Sequence, residues 1–67
     1  MIQLNGERTE VGPDATLANV LALLGLGMES RGVAVAVDGE VVPRVRWESY
    51  TLAPDAQVEV LTAMQGG

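Results

Sequence analysis

The stretch "GVAVAVDGEVV", residues 32–42, decides the fold class. Val33, Val35 and Val37 alternate with Ala34 and Ala36, and a period of two belongs to a strand. Asp38–Gly39 then supplies a residue pair that tolerates positive φ, as a type I′ turn requires, and Glu40 to Val42 returns as a short partner strand. The valines make one face to be buried. The alanines leave a second face of small residues, suited to close packing or to a shallow exposed surface. Pro43 has no N–H to give a ladder, which predicts that the return strand lies at a sheet edge.

Toward the N-terminus the same signal recurs. Ile2 and Leu4 alternate with Gln3, Asn5–Gly6 is a second type I′ pair, and Glu7 to Val11 reads as a more polar return strand. Thr9 and Val11 fall on one side of it, and Gly12–Pro13 ends it. Between the hairpins Thr16 is the predicted N-cap of a helix. Leu17, Val20, Leu21 and Leu24 follow at i, i+3, i+4 and i+7 as one apolar face, with Leu23 off it. Gly25 is placed as the left-handed residue that closes the helix, with Leu26 as its hydrophobic partner. So short a helix is marginal alone and must pack on a sheet.

Toward the C-terminus "RVRWESY", residues 44–50, is irregular and holds the only aromatics, Trp47 and Tyr50. They are expected to close the end of the core with their polar atoms bonded. Pro54–Asp55 turns the chain, and "QVEVL", residues 57–61, is the last strand, with Val58 and Val60 inward. The order is hairpin, helix, hairpin, irregular turn, strand. It predicts an α+β fold with one main helix on a small mixed sheet. The other sheet face, rich in alanine and aliphatic residues, is a candidate docking surface.

The 67 residues make one domain, and a chain this short buries only about 60% of its unfolded surface. With no Cys and no His, the usual zinc and iron–sulfur ligand sets are absent, as are a thiol nucleophile and an imidazole base. Asp14, Glu29, Asp38, Glu40 and Asp55 lie in turns without calcium-loop spacing and read as solvated acids. The glycines fit turns and caps, since no phosphate-loop pattern opens the helix. No enzymatic activity and no metal site are expected. Four Arg against nine acids, a net charge of −5, disfavour nucleic acid as a partner and suit a basic patch on a larger protein. Arg44 and Arg46 read equally as docking contacts or as surface solubility. "MIQLNGERTE" shows no secretory pattern, and "NVLALLGLGM" falls short of the about 20 residues that span a bilayer, so a cytoplasmic location and no membrane partner are expected.

The chain closes on "TAMQGG", residues 62–67. Residues 1–63 are read as the folded domain, and 64–67 as a flexible tail ending in Gly-Gly. The plain reading is a frayed terminus. The alternative is that the glycines deliver the terminal carboxylate into a narrow site, because residues without Cβ adopt backbone geometries closed to others. On that reading Met64, Gln65, Gly66 and Gly67 are presented to partner enzymes, their main chain free to pair as an added strand. Met64 serves equally as a cover for the sheet edge.

"NGE" in the first hairpin, "TLANVLALLGL" in the helix, "VAVAVDGEVVPRVRWESY" in the middle and the Gly-Gly end together resemble the ThiS family. These are sulfur-carrier proteins of thiamine thiazole biosynthesis with a ubiquitin-like β-grasp fold. The resemblance spans the whole chain and is most specific in the middle block. The last turn, "APDAQ", departs from the "DGD" common in the family, and "AMQGG" differs in detail from many members. Neither departure touches the terminal glycines. The resemblance implies that Gly67 is the modified residue, its carboxylate adenylated and then converted to a thiocarboxylate that donates sulfur. It implies three partners: an adenylating activating enzyme, thiazole synthase, and a sulfur donor such as a cysteine desulfurase. No cofactor is bound, and ATP is used by the activating partner. A carrier for molybdopterin or tRNA thiolation uses the same fold and tail, and a ubiquitin-like modifier or interaction domain is the other alternative. The absence of Lys weighs against a modifier that builds chains on itself.

Overall fold

The computed structural model describes residues 1–27 and 30–63. The strands are β1 (Ile2–Leu4), β2 (Glu7–Thr9), β3 (Val33–Val37), β4 (Glu40–Val41) and β5 (Gln57–Thr62), with the helix α1 (Leu17–Leu23) between β2 and β3. A 3-10 turn at Arg44–Arg46 precedes β5. The expected order of elements is therefore the observed one. Both hairpins close as predicted, with Asn5–Gly6 at φ 51° and 84° and Asp38–Gly39 at φ 51° and 87°.

The sheet order is β2-β1-β5-β3-β4, so the last strand in sequence is the middle strand in space. It runs parallel to β1, with Gln3 opposite Gln57, and antiparallel to β3, with Val35 opposite Val60. All other pairings are antiparallel, which makes the sheet mixed. β4 is an edge strand, as Pro43 predicted. β2 ends at Thr9, two residues before the expected Val11, which packs half-buried against the core from the following loop.

The helix is capped at both ends. Thr16 Oγ1 accepts from the Asn19 N–H at 3.3 Å, and the Asn19 carboxamide oxygen accepts from the Thr16 N–H at 3.0 Å, a reciprocal box. The N–H groups of Leu17 and Ala18, which a helix cannot satisfy itself, donate to the carbonyls of Tyr50 and Trp47. At the other end Gly25 stands at φ 77°, and the N–H groups of Gly25 and Leu26 donate to the carbonyls of Ala22 and Leu21, a Schellman closure. This closure corrects one expectation. Leu24, assigned to the apolar face, is exposed, because the chain reverses there and Leu26 returns to the core instead. Leu23, off the stripe, is exposed as expected.

Leu17, Val20 and Leu21 seat the helix on Ile2, Leu4, Val35, Val37, Val58 and Val60 of the inner sheet face. Trp47 fills the end of this core and is 1% exposed, with its indole N–H donating to the Val42 carbonyl at 2.9 Å. Tyr50 is half-buried beside it. Arg44 is a structural residue: its guanidinium lies 4.8 Å from the Trp47 ring centroid and donates to the Ser30 carbonyl. Arg46 is exposed.

Leu21→Ala is expected to lower the unfolding free energy in a urea titration by about 2–5 kcal/mol, the range for truncating a packed leucine. A loss below about 0.5 kcal/mol, typical of surface sites, would contradict the seating of α1 on the sheet.

Candidate functional site

Met64, Gln65, Gly66 and Gly67, the residues to which the sequence assigns the chemistry, lie outside the described residues. The described part of the site is its root, where β5 leads into them. Two contacts hold this root, one on each flank of the strand.

On the β3 flank the Ala63 N–H donates to the Gly32 carbonyl at 2.6 Å, one step beyond the ladder that pairs Val33 with Thr62. Gly32 is required here for two reasons. Its φ of 68° is a left-handed value that residues with a Cβ avoid, and a Cβ added to it would stand 3.0 Å from the Ala63 side chain.

On the other flank β1 stops at Leu4, opposite Val58. The main chain of Asn5 still donates to the Val58 carbonyl at 2.9 Å. Its side chain then takes over: Asn5 Oδ1 accepts from the Val60 N–H at 2.8 Å, and Asn5 Nδ2 donates to the Val60 carbonyl at 3.3 Å. Asp38, at the corresponding place in the second hairpin, accepts from the Gln57 N–H at 3.0 Å at the start of β5. The two turns therefore grip the same strand on opposite flanks, Asp38 at its first residue and Asn5 at its fourth. Sequence reading assigned both residues to turn geometry alone, because the partner strand lies 55 and 19 residues away and leaves no local signal.

The outer sheet face lies beside this root. Leu61 of β5 stands opposite Ala34 of β3, and Ala36 stands opposite Val41 of β4. Leu61 and Val41 are 68% and 76% exposed, so the four side chains form an apolar strip from the root to the β4 edge. Glu59, also opposite Ala36, borders it with a negative charge. Contiguous apolar surface of this kind marks a contact site more often than a scatter of single exposed residues does.

No group of three or more acidic residues among the described residues is arranged to hold a metal ion. Among the described residues no helix is long and apolar enough to cross a membrane.

The ThiS family model matches residues 2–67, the whole chain but its first residue. The chain belongs to the ThiS family. Members of this family are small sulfur-carrier proteins of thiamine biosynthesis rather than enzymes, with the ubiquitin-like β-grasp fold that the sheet and helix display here. Two solved structures are similar over nearly the full length, and both are thiamine biosynthesis proteins from Geobacter metallireducens. The crystal structure of that ThiS protein has a TM-score of 0.77 and 26% identity, over 98% of this chain and 97% of the other. A solution structure has a TM-score of 0.77 and 25% identity, over 98% of this chain and 86% of the other. No curated protein sequence matches this ThiS-family chain.

Gly32→Ala is expected to cost about 1–2 kcal/mol, the scale of a left-handed residue carrying a Cβ, and to speed amide exchange at Ala63. Unchanged exchange at Ala63 would show that Gly32 does not hold the root.

Proposed function

We propose that this chain is a sulfur carrier whose Gly67 carboxylate is activated and converted to a thiocarboxylate that supplies sulfur for thiazole synthesis. The observation that carries this reading is the family match, which runs through the Gly-Gly end.

The carboxylate is ionised at neutral pH and is a poor acyl donor. An activating enzyme overcomes this with ATP. A carboxylate oxygen attacks the α-phosphorus, pyrophosphate leaves, and the carbonyl carbon becomes the electrophile of an acyl-adenylate. A hydrosulfide then adds to that carbon, its proton is lost and AMP leaves, and a thiocarboxylate remains; where the sulfur comes as a donor persulfide, the acyl disulfide first formed is cleaved by a thiol, which takes the two-electron oxidation. Thiazole synthase accepts the sulfur. The chain's own share is to dock and to deliver. The strip of Leu61, Ala34, Ala36 and Val41 offers an apolar contact beside the root, and a net charge of −5 suits a partner surface with a basic rim. The chain has neither a thiol nor an ε-amine, so no Cys or Lys of its own can capture the activated carbonyl.

Incubation with ATP, sulfide and a ThiS-activating enzyme is expected to exchange one oxygen for sulfur, seen by intact-protein mass spectrometry and placed on Gly67 by fragmentation. An unchanged mass with an enzyme from the same organism would reject the carrier reading in favour of an interaction domain. Transfer to a molybdopterin or tRNA acceptor in preference to thiazole synthase would move the chain to another pathway.

Removing Gly67 is expected to abolish the product and leave the melting temperature unchanged, since Gly67 follows the last core residue. A large fall in melting temperature would make the glycine structural. Leu61→Asp, at an exposed site, is expected to raise KM for the activating enzyme without unfolding the domain. An unaltered KM would remove the strip from the docking surface.

A further inference from the structure

The turn at Asn5–Gly6 does more than reverse the chain. A type I′ turn accepts Asn, Asp or Gly at its first position, so turn geometry alone does not demand asparagine. The ladder does. β1 ends opposite Val58, and the next β5 residue that faces this flank is Val60, with both an N–H and a carbonyl to satisfy. A carboxamide carries one acceptor oxygen and one donor nitrogen, the same two kinds of group that the main chain of a longer β1 would present from two successive peptide units. Aspartate offers acceptors only, which suffices for Asp38: its carboxylate accepts from the Gln57 N–H, and the Gln57 carbonyl is already met by the Asp38 main-chain N–H.

We propose that the Asn5 carboxamide is a positioning residue for the root of the tail: by standing in for the missing strand at Val60 it fixes the course of Leu61 to Ala63. This rests on the sulfur-carrier reading. From Val60 to Ala63 the strand runs roughly 10 Å, so a change of about ten degrees at Val60 moves the root by about 2 Å. Delivery of a carboxylate to a reacting phosphorus tolerates little of this, since a misplacement of about 1 Å can cost about a hundredfold in rate. The opposite flank is held separately, by the β3 ladder out to Thr62 and by the Gly32 carbonyl on the Ala63 N–H, so among the described residues Asn5 alone holds the β1 flank at Val60.

The test is Asn5→Gly, which keeps the turn and deletes the clasp, beside Asn5→Asp, which keeps the turn and one acceptor but sets a carboxylate against the Val60 carbonyl. ATP–pyrophosphate exchange by a ThiS-activating enzyme is measured well below both melting temperatures. The expected result is a fall in kcat of about tenfold or more, with KM within twofold of the parent because the docking strip is untouched. An unchanged kcat with a lowered melting temperature would reduce Asn5 to a stabilising residue and overturn the inference. A raised KM with unchanged kcat would place Asn5 in the docking surface and overturn it equally. Should Asn5→Gly fail to fold, Asn5→Asp decides by the same criteria. Amide order parameters measured on the free protein separate the two levels of argument. Loss of order at Leu61 to Ala63, with Gln57 unaffected, supports the positioning role even if no activating enzyme accepts the parent chain. Retained order there rejects it whatever the fate of the carrier reading.

Discussion

β5 is the strand on which both hairpins depend. The first hairpin meets the second only through it, since β1 pairs with one of its edges and β3 with the other. Gln3 must find Gln57 across 54 residues of chain, and closing so long a loop costs entropy that local contacts do not return. The compensation comes from several directions at once. Val58 and Val60 place their side chains under the helix, the two ladders satisfy the backbone, and the turn residues Asn5 and Asp38 add side-chain bonds on opposite flanks. A 67-residue chain without disulfides or a metal has little stability to spare, so a strand held this way contributes disproportionately.

The polar groups of the interior follow the same economy. The first free N–H groups of α1 are met by the carbonyls of Tyr50 and Trp47 and by the Thr16 hydroxyl, which ties the helix start to the segment that closes the core. Trp47 joins three parts of the molecule. Its carbonyl accepts from Ala18, its indole donates to Val42 at the end of the second hairpin, and its ring carries the Arg44 guanidinium. Among the described residues no buried side-chain polar atom lacks a partner. A buried group without one would cost about 1–3 kcal/mol, a large share of a small domain's stability.

The sheet divides stability from function. Its inner face is valine, leucine and isoleucine under a helix, and its outer face carries the apolar strip that ends where the tail begins. The same strand serves both, because alternate residues of β5 point to opposite faces: Val58 and Val60 inward, Glu59 and Leu61 outward. The Leu61 end of the apolar strip and the root of the tail, Leu61 to Ala63, thereby belong to one strand and its first following residue. This is what a carrier needs if its partners are to meet the domain and its carboxylate together.

The sequence by itself determined the elements. Period-two valines, two positive-φ turn pairs, a capped 3.6-period stripe and a Pro43 edge are local signals, each set by backbone sterics and side-chain patterning within a few residues. The resemblance to the ThiS family rested instead on particular residues, the 33–50 block and the Gly-Gly end above all. What the local signals could not contain was the order of the strands, the exposure of Leu24, the roles of Asn5 and Arg44, or the need for glycine at position 32 beside Ala63. Asn5 reads as a turn residue because its turn is local, whereas the Val60 main chain it completes lies 55 residues away. Leu24 keeps the helical spacing, yet the left-handed Gly25 reverses the chain beside it and sends Leu26 inward. Tertiary structure decided these because each depends on groups brought together only by pairing distant strands or by reversing the chain, and neither leaves a period in the sequence.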